Sequence, residues 1–326
     1  MIMTKISVIV PTYNRATVLK DTLECLIKQK TNGEFDYEII VVDNNSKDNT
    51  REVVDSYIAQ FQGSFMYVFE PKQARAHALN AGLKAAKGDI ICCVDDDCLV
   101  EETYLGNINR VFQEYGPDVG VVGGKIFPKW LGNDYPFWLD AIFNQPARLE
   151  NGAFNWTKIS FEGVLGILDF GNEPFILDYT QKDCPRLQFY GANMAFRRSI
   201  LERYGDFSAE NPFGEDTEIC KRLFNAGIKG IYAPSVGLYH KIPTDKGTPA
   251  FFYKWWFGRG IHMEIKEKYE PKFYYPFGIP MVLILKTIGL FQKSFQEKDL
   301  FSKIRFRWQG FFNLGQMTKL FKQNII

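Results

Sequence analysis

The first hundred residues alternate short apolar runs with amphipathic stretches in strict rotation, and no other feature of the chain restricts its fold as much. The run Ile6-Ser7-Val8-Ile9-Val10 stops at Pro11, after which Val18, Leu19, Leu23, Leu26 and Ile27 recur with a helical period. A strand is predicted over 38–42, then a helix opening near Ser46 with Val53, Val54, Tyr57 and Ile58 inward. A strand over 65–69, a helix over 74–86 closed by Lys87-Gly88, and a strand over 89–94 complete the series. Strands separated by helices pair in parallel through crossovers, so the pattern predicts an α/β fold: a mostly parallel, doubly wound sheet with helices on both faces. Ligands of such sheets collect at the carboxyl ends of the strands.

One of those ends is unusual. Asp95-Asp96-Asp97 stands directly behind the apolar run 90–94. Adjacent carboxylates repel, and a metal ion, a basic partner or open water must offset the field. If the strand continued through them, Asp95 and Asp97 would point to one side and Asp96 to the other. Taken alone, an acidic triplet is equally a solvated turn. Its place at a strand end, together with Asp43 at another, favours a site.

At 326 residues and 46% hydrophobic content the chain can fold as one large domain or two modest ones. Residues 1–100 read as one half of a domain and 101–247 as its other half, with a long binding region of weak periodicity over 129–186. Residues 248–326 form a helical C-terminal extension. The formal net charge of +1 hides an asymmetry: that extension holds 13 Lys+Arg against 5 Asp+Glu, net +8, leaving the rest at −7. Basic residues mixed with Trp255, Trp256, Phe257, Tyr274, Tyr275, Trp308, Phe311 and Phe312 suit an anionic membrane surface, and equally a packed helical subdomain; no nucleic acid partner is expected. The six cysteines lack paired metal-ligand spacing and read as small core residues of a reducing compartment. No apolar run is long enough for a signal peptide or a membrane span, so a cytoplasmic protein is expected, peripheral at the inner face of the cell membrane.

The first strand ends in Val10-Pro11-Thr12-Tyr13-Asn14-Arg15 and the second in Val42-Asp43-Asn44-Asn45-Ser46. Asp or Asn can accept from a base N–H while an aromatic packs on the ring, although Asx residues ahead of a helix are also ordinary caps.

With these residues in order, the chain resembles the family 2 glycosyltransferases, inverting enzymes of the GT-A fold. The resemblance rests on Ser7 to Arg15, on Ile39-Ile40-Val41-Val42-Asp43-Asn44-Asn45-Ser46, on Ala78-Leu79-Asn80-Ala81-Gly82, and on Asp95-Asp96-Asp97 in place of the family's DxD. It implies a nucleotide-sugar donor, UDP-linked by expectation. Asp43 and Asn44 would meet the base, Asp96 the ribose, and Asp95 and Asp97 the sugar diphosphate with its Mn²⁺ or Mg²⁺, while Pro11 and Tyr13 are further candidates for binding the nucleotide-sugar. Arg75 and His77 are candidates for the diphosphate.

Two later segments resemble the acceptor side of the same family, Gly191-Ala192-Asn193-Met194-Ala195-Phe196-Arg197-Arg198 and Gly214-Glu215-Asp216-Thr217-Glu218. An attacking sugar hydroxyl must lose its proton, which asks for a carboxylate base, and the resemblance gives that role to Asp216 beside Glu215. The three acids equally complement the positive end of a helix. His240, behind a strand-like run over 230–238, would complete the metal shell, and imidazole beside carboxylate favours Mn²⁺. Arg259 is a further candidate to neutralise the leaving diphosphate. Where processive synthases carry Gln-x-x-Arg-Trp, this chain has Ile219-Cys220-Lys221-Arg222-Leu223, which implies transfer of a single sugar to a glycan or lipid-linked acceptor. The rival readings are a nucleotidyltransferase that makes nucleotide-sugars and a catalytically silent sugar- or lipid-binding protein.

Overall fold

A computed structural model describes residues 3–132, 136–149, 153–209, 214–262, 281–298 and 300–325. Tyr274 and Tyr275 of the aromatic tail lie outside the described residues. The chain divides into two compact units, Met1–Lys129 with Glu150–Phe154 and Gly166–Lys241, and Trp130–Leu149 with Asn155–Leu165 and Ile242–Ile326.

In the first unit the predicted rotation is present. Strands β1 (Thr4–Thr12), β2 (Phe35–Asp43), β3 (Ser64–Phe69) and β4 (Ile90–Val94) run parallel in the order β3-β2-β1-β4. Val, Ile and Cys fill β1, β2 and β4, and their central residues are fully buried, as strands covered on both faces require. Helices α1 (Ala16–Leu26), α2 (Thr50–Ile58) and α3 (Arg75–Ala85) are the crossovers. Leu19, Leu23 and Leu26 bury one side of α1, and Val53 and Val54 bury one side of α2. Gly82 lets α3 lie close on the sheet, since a Cβ there would come within 2.4 Å of Ile9 Cγ2.

Beyond β4 the sheet changes sense. Short β5 (Cys98–Val100) is followed by α4 (Tyr104–Glu114) and β6 (Val119–Leu131); further along come α5 (Asp140–Phe143), α6 (Trp156–Val164), β7 (Phe175–Leu177), β8 (Asn193–Arg197), α7 (Arg198–Tyr204), α8 (Glu215–Asn225) and β9 (Lys229–Pro243). The order continues β4-β8-β6-β9-β5, with β7 also on β9, and the registered pairs of β8 with β4 and β6, and of β9 with β5 and β7, are antiparallel. The α/β class holds, and the parallel strands are confined to the half that carries the strand–helix rotation. All six cysteines are free; Cys92, Cys93, Cys98 and Cys220 are core residues as expected, whereas Cys25 and Cys184 are partly exposed.

The second unit contains α9 (Pro249–His262), α10 (Met281–Gln296) and α11 (Leu300–Ile325). Its tail aromatics pack on one another. Trp256 and Trp308 stand 4.2 Å apart between ring centroids, Tyr253 stacks on Phe311 at 4.7 Å, and Phe161 of α6 meets both Phe252 and Trp308. Gly260 of α9 and Gly315 of α11 let the two backbones touch, for a Cβ on either would sit 2.1 Å from a carbonyl oxygen of the other helix.

Candidate active site

The carboxyl ends of β1, β2 and β4 surround a cavity of about 450 Å³, a size that suits a nucleotide-like ligand. Pro11, Thr12, Tyr13, Arg15, Asn44, Ala74, Arg75, Asp95 and Asp96 are among its lining. His77 is not among them. Tyr13, 45% exposed, offers an open ring at the rim. Two of the strand-end loops are laced together: Asn14 N–H donates to Ser46 Oγ at 2.9 Å and Lys47 N–H to Asn14 Oδ1 at 2.6 Å. Asn14 and Asn45 hold φ of 52° and 68°, a conformation Asn tolerates.

Asp43 lies just behind this lining, buried, accepting from Ser46 N–H at 2.8 Å and from the Tyr67 hydroxyl at 2.7 Å. Burial pushes the Tyr67 phenol up to about 12, and the Asp43 carboxylate it donates to adds to that shift. Asn44 lines the cavity while its amide shapes the next loop, donating to Glu70 O and Lys72 O and accepting from Ala74 N–H. Ala74 is held at φ 154°, a region costly for any residue but glycine, immediately before Arg75.

The aspartate triplet departs from the expected alternation. Strand β4 ends at Val94, so the triplet is a turn, and Asp96 and Asp97 are both buried while Asp95 is half-buried. Arg15 bridges the two buried acids, Nη1 to Asp96 at 2.5 Å and Nη2 to Asp97 at 3.0 Å. Thr12 Oγ1 donates to Asp96 at 2.7 Å. Burial pushes the Asp96 carboxyl up to about 6, against the opposing pull of Arg15 and Thr12. Thr12 and Arg15 belong to the strand-end segment singled out in the sequence, but nothing local there shows that Asp96 and Asp97 are their partners.

Asp97 also faces His240, with Nε2 3.3 Å from Oδ2, and its carbonyl accepts from Lys241 N–H, so the pairing of β5 with β9 sets this meeting. Gly166, at φ 68°, backs the imidazole: a Cβ there would lie 2.9 Å from His240 Cε1. A buried carboxylate beside a buried imidazole is a donor set that fits Mn²⁺ or Mg²⁺, Mn²⁺ the better. Among the described residues no group of three His, Cys, Asp or Glu side chains forms a fuller shell, so further ligands would have to come from water or the bound molecule.

Arg75 joins the cavity to α8. Its Nε and Nη2 donate to Asp95 Oδ1 at 3.1 and 2.6 Å, and its Nη1 donates to Glu215 Oε1 at 2.6 Å. Gly191 makes room for it, since a Cβ there would stand 2.5 Å from Nη1. Gly191 N–H donates at 3.0 Å to Asp216 Oδ2, and Thr217 N–H donates to Oδ1 at 2.6 Å. Burial and the adjacent charge of Glu215 raise the Asp216 carboxyl above its ordinary value, with Gly191 and Arg75 pulling the other way. Glu218 is committed to Arg222, which also holds the carbonyls of Gly205 and Asp206.

Asn193, expected on the acceptor side, is instead a sheet cross-link. Fully buried, it accepts from the Tyr104 hydroxyl at 2.7 Å and donates to Lys125 O and Val236 O, which spends its hydrogen-bonding capacity between strands. Arg259 lies on α9, its guanidinium 5.1 Å over the Trp255 ring.

A cavity at the head of a 3-2-1-4 parallel sheet, with an antiparallel continuation carrying further polar residues, is the architecture of the GT-A fold. The solved mannosyltransferase PcManGT from Pyrobaculum calidifontis, in complex with GDP-Man and Mn²⁺, shares it: the TM-score is 0.54 at 20% identity, covering 98% of this chain and 74% of that one. Residues 7–205 match Glycosyl transferase family 2, and the chain belongs to that family. It is 25% identical over 292 residues to a chondroitin synthase of Escherichia coli, covering 84% of this chain and 40% of that protein. To a validoxylamine A glucosyltransferase of Streptomyces hygroscopicus subsp. jinggangensis it is 34% identical over 228 residues, 68% of this chain and 52% of the relative. The chain thus spans about half or less of the length of these relatives.

Proposed function

We propose that this chain transfers a single sugar from a nucleotide-sugar to a hydroxyl of a glycan or lipid-linked acceptor, inverting the anomeric centre, as a step in glycan, polysaccharide or glycolipid synthesis. The observation that carries the reading is the division of labour among the first-turn acids of α8. Glu215 pairs with Arg75 and Glu218 with Arg222, whereas Asp216 accepts from the backbone N–H groups of Gly191 and Thr217. A half-buried carboxylate held in place by N–H donors, its basicity raised by burial, suits a general base.

In this reading Pro11, Tyr13 and Asn44 receive the base, with Asp43 bracing the turn behind them, and Asp96 meets the ribose. Arg75 and Asp95 lie at the diphosphate. Asp97 and His240 would hold Mn²⁺ or Mg²⁺, which when bound supplies positive charge to the departing phosphate oxygens. Asp216 takes the proton of the acceptor hydroxyl as its oxygen bonds to the anomeric carbon. The bond from that carbon to the diphosphate oxygen breaks on the opposite side, and its electron pair leaves with the nucleotide. The segment that replaces the processive motif is structural: Ile219, Cys220 and Leu223 are buried and Arg222 braces the loop after α7, which supports single transfer.

The test is a panel of nucleotide-sugars, UDP-linked first, assayed with Mn²⁺, Mg²⁺ and EDTA. Asp216→Asn is expected to keep fold and donor affinity while lowering transfer roughly a hundredfold or more. Near-normal turnover in that variant would refute the base assignment. Synthesis of a nucleotide-sugar from a sugar phosphate would instead identify a nucleotidyltransferase.

A further inference from the structure

Helix α10 carries apolar residues on both sides. Leu283, Thr287 and Ser294 are buried and Phe291 packs on Phe311 at 5.6 Å, while Leu285, Ile288 and Phe295 are 59%, 48% and 76% exposed. At 3.6 residues per turn these three apolar residues fall on one outward arc, and Lys286 and Lys293 lie along its flank. The buried hydroxyls find internal partners: Thr287 donates to Leu283 O at 2.7 Å, and Ser294 accepts from Arg307 Nε at 2.9 Å. The inner side of the helix is therefore satisfied without the apolar arc, which is left to something outside.

Charge identifies the occupant. Between them α10 and α11 carry seven Lys or Arg and no Asp or Glu. The Arg307 guanidinium sits 5.7 Å over the exposed Phe295 ring, and Arg305 and Lys293 each lie 5.9 Å from Phe306. Apolar side chains bordered by cations match a phase that is apolar within and anionic at its surface. A nucleic acid backbone offers the anions without the apolar phase. A second copy of this chain would bring like charges face to face. Among the described residues no helix is long and apolar enough to cross a membrane, so the contact would be interfacial.

We propose that the outer face of α10 docks on an anionic phospholipid surface, with Leu285, Ile288 and Phe295 entering the acyl boundary and the surrounding Lys and Arg side chains meeting headgroup phosphates. This face is independent of the catalytic assignment. The full chain is to be sedimented with phosphatidylglycerol and with phosphatidylcholine vesicles at low and high salt, folding being verified by circular dichroism. Binding to phosphatidylglycerol that weakens with salt is expected. The triple variant Leu285→Ser, Ile288→Ser, Phe295→Ser should lose roughly tenfold or more in partitioning, because it removes three exposed apolar side chains. The variant Lys293→Gln should lose about fivefold, the contribution of one lysine at an anionic leaflet. Equal binding to phosphatidylcholine, or undiminished binding by either folded variant, would overturn the proposal. So would self-association that the triple variant abolishes, with no vesicle binding by the parent. Asp216→Asn protein should bind vesicles as the parent does, so a failed base assignment leaves this result intact.

Discussion

Arg15 and Arg75 divide the aspartate triplet between them, Arg15 taking Asp96 and Asp97 and Arg75 taking Asp95. Each arginine therefore stands where a charged ligand would compete for the same carboxylates. If Asp97 holds the metal, Asp97→Ala should abolish the increment that Mn²⁺ adds to UDP binding in a calorimetric titration, and an unchanged affinity would remove it from the metal site. Asp96→Ala should weaken UDP binding yet retain a response to Mn²⁺. The second residue-scale expectation concerns acidity. A general base acts only when ionised, so activity should fall as pH drops through the raised pKa of Asp216, above its reference value of 3.8. Glu215→Gln removes a negative neighbour that raises that pKa, so the acid limb of the kcat/KM profile should move to lower pH; movement to higher pH would contradict the pairing described here. Asp43 and the Asp95-Asp96-Asp97 triplet were legible in the sequence because they follow apolar runs directly, whereas Asp216 and Glu215 were reached only through the family resemblance of their segment. Their partners were not legible, because Arg75 and Glu215 meet across 140 residues and nothing local in either segment announces the other.

At the scale of elements, legibility followed periodicity. Strands β1 to β4 and the helices between them stand within a few residues of their predicted positions, since β-branched runs and leucine faces alternate there without interruption. The Asp triplet lost its predicted alternation because repulsion and the demand for N–H donors favour a turn over continued pairing. Strand β8 carried no strand signal: it is five residues long, begins with Asn193, and is fixed by hydrogen bonds to distant carbonyls. Strand β9 begins about where expected and continues to Pro243, past the predicted end, because pairing with β5 draws His240 into the sheet. Glycines offer a direct test of how tightly these elements meet. Gly82→Ala should lower unfolding stability by about 1–3 kcal/mol, because the new methyl strikes a fully buried Ile9 that has nowhere to move. Gly258→Ala, with open space around its Cβ position on α9, should instead raise stability by up to about 1 kcal/mol. Urea denaturation of both variants would check the contrast.

For the whole molecule the informative fact is how the chain is threaded. The second compact unit is assembled from Trp130–Leu149, Asn155–Leu165 and Ile242–Ile326, so the chain leaves the first unit and returns to it more than once. The rise in basic residues at 248 marks the tail alone; residues 130–149 and 155–165 share its aromatics, among them Trp130, Trp138, Trp156 and Phe161, but not its charge, so their membership was not readable from charge. A chain ended after Lys241 should express as aggregate or bind a hydrophobic dye, because Phe161 would lose Phe252 and Trp308, its partners at 5.7 and 6.1 Å. A soluble, cooperative truncated protein would show the units to be separable. The same threading bears on descent. A gene fusion can append a domain at one junction, but it cannot insert two short strips into an older protein and have them complete a core encoded a hundred residues downstream. Recombination near codon 241 would deliver half of a hydrophobic interior to each offspring, so selection on either unit carries the other along, and the tail is heritable only as part of the whole.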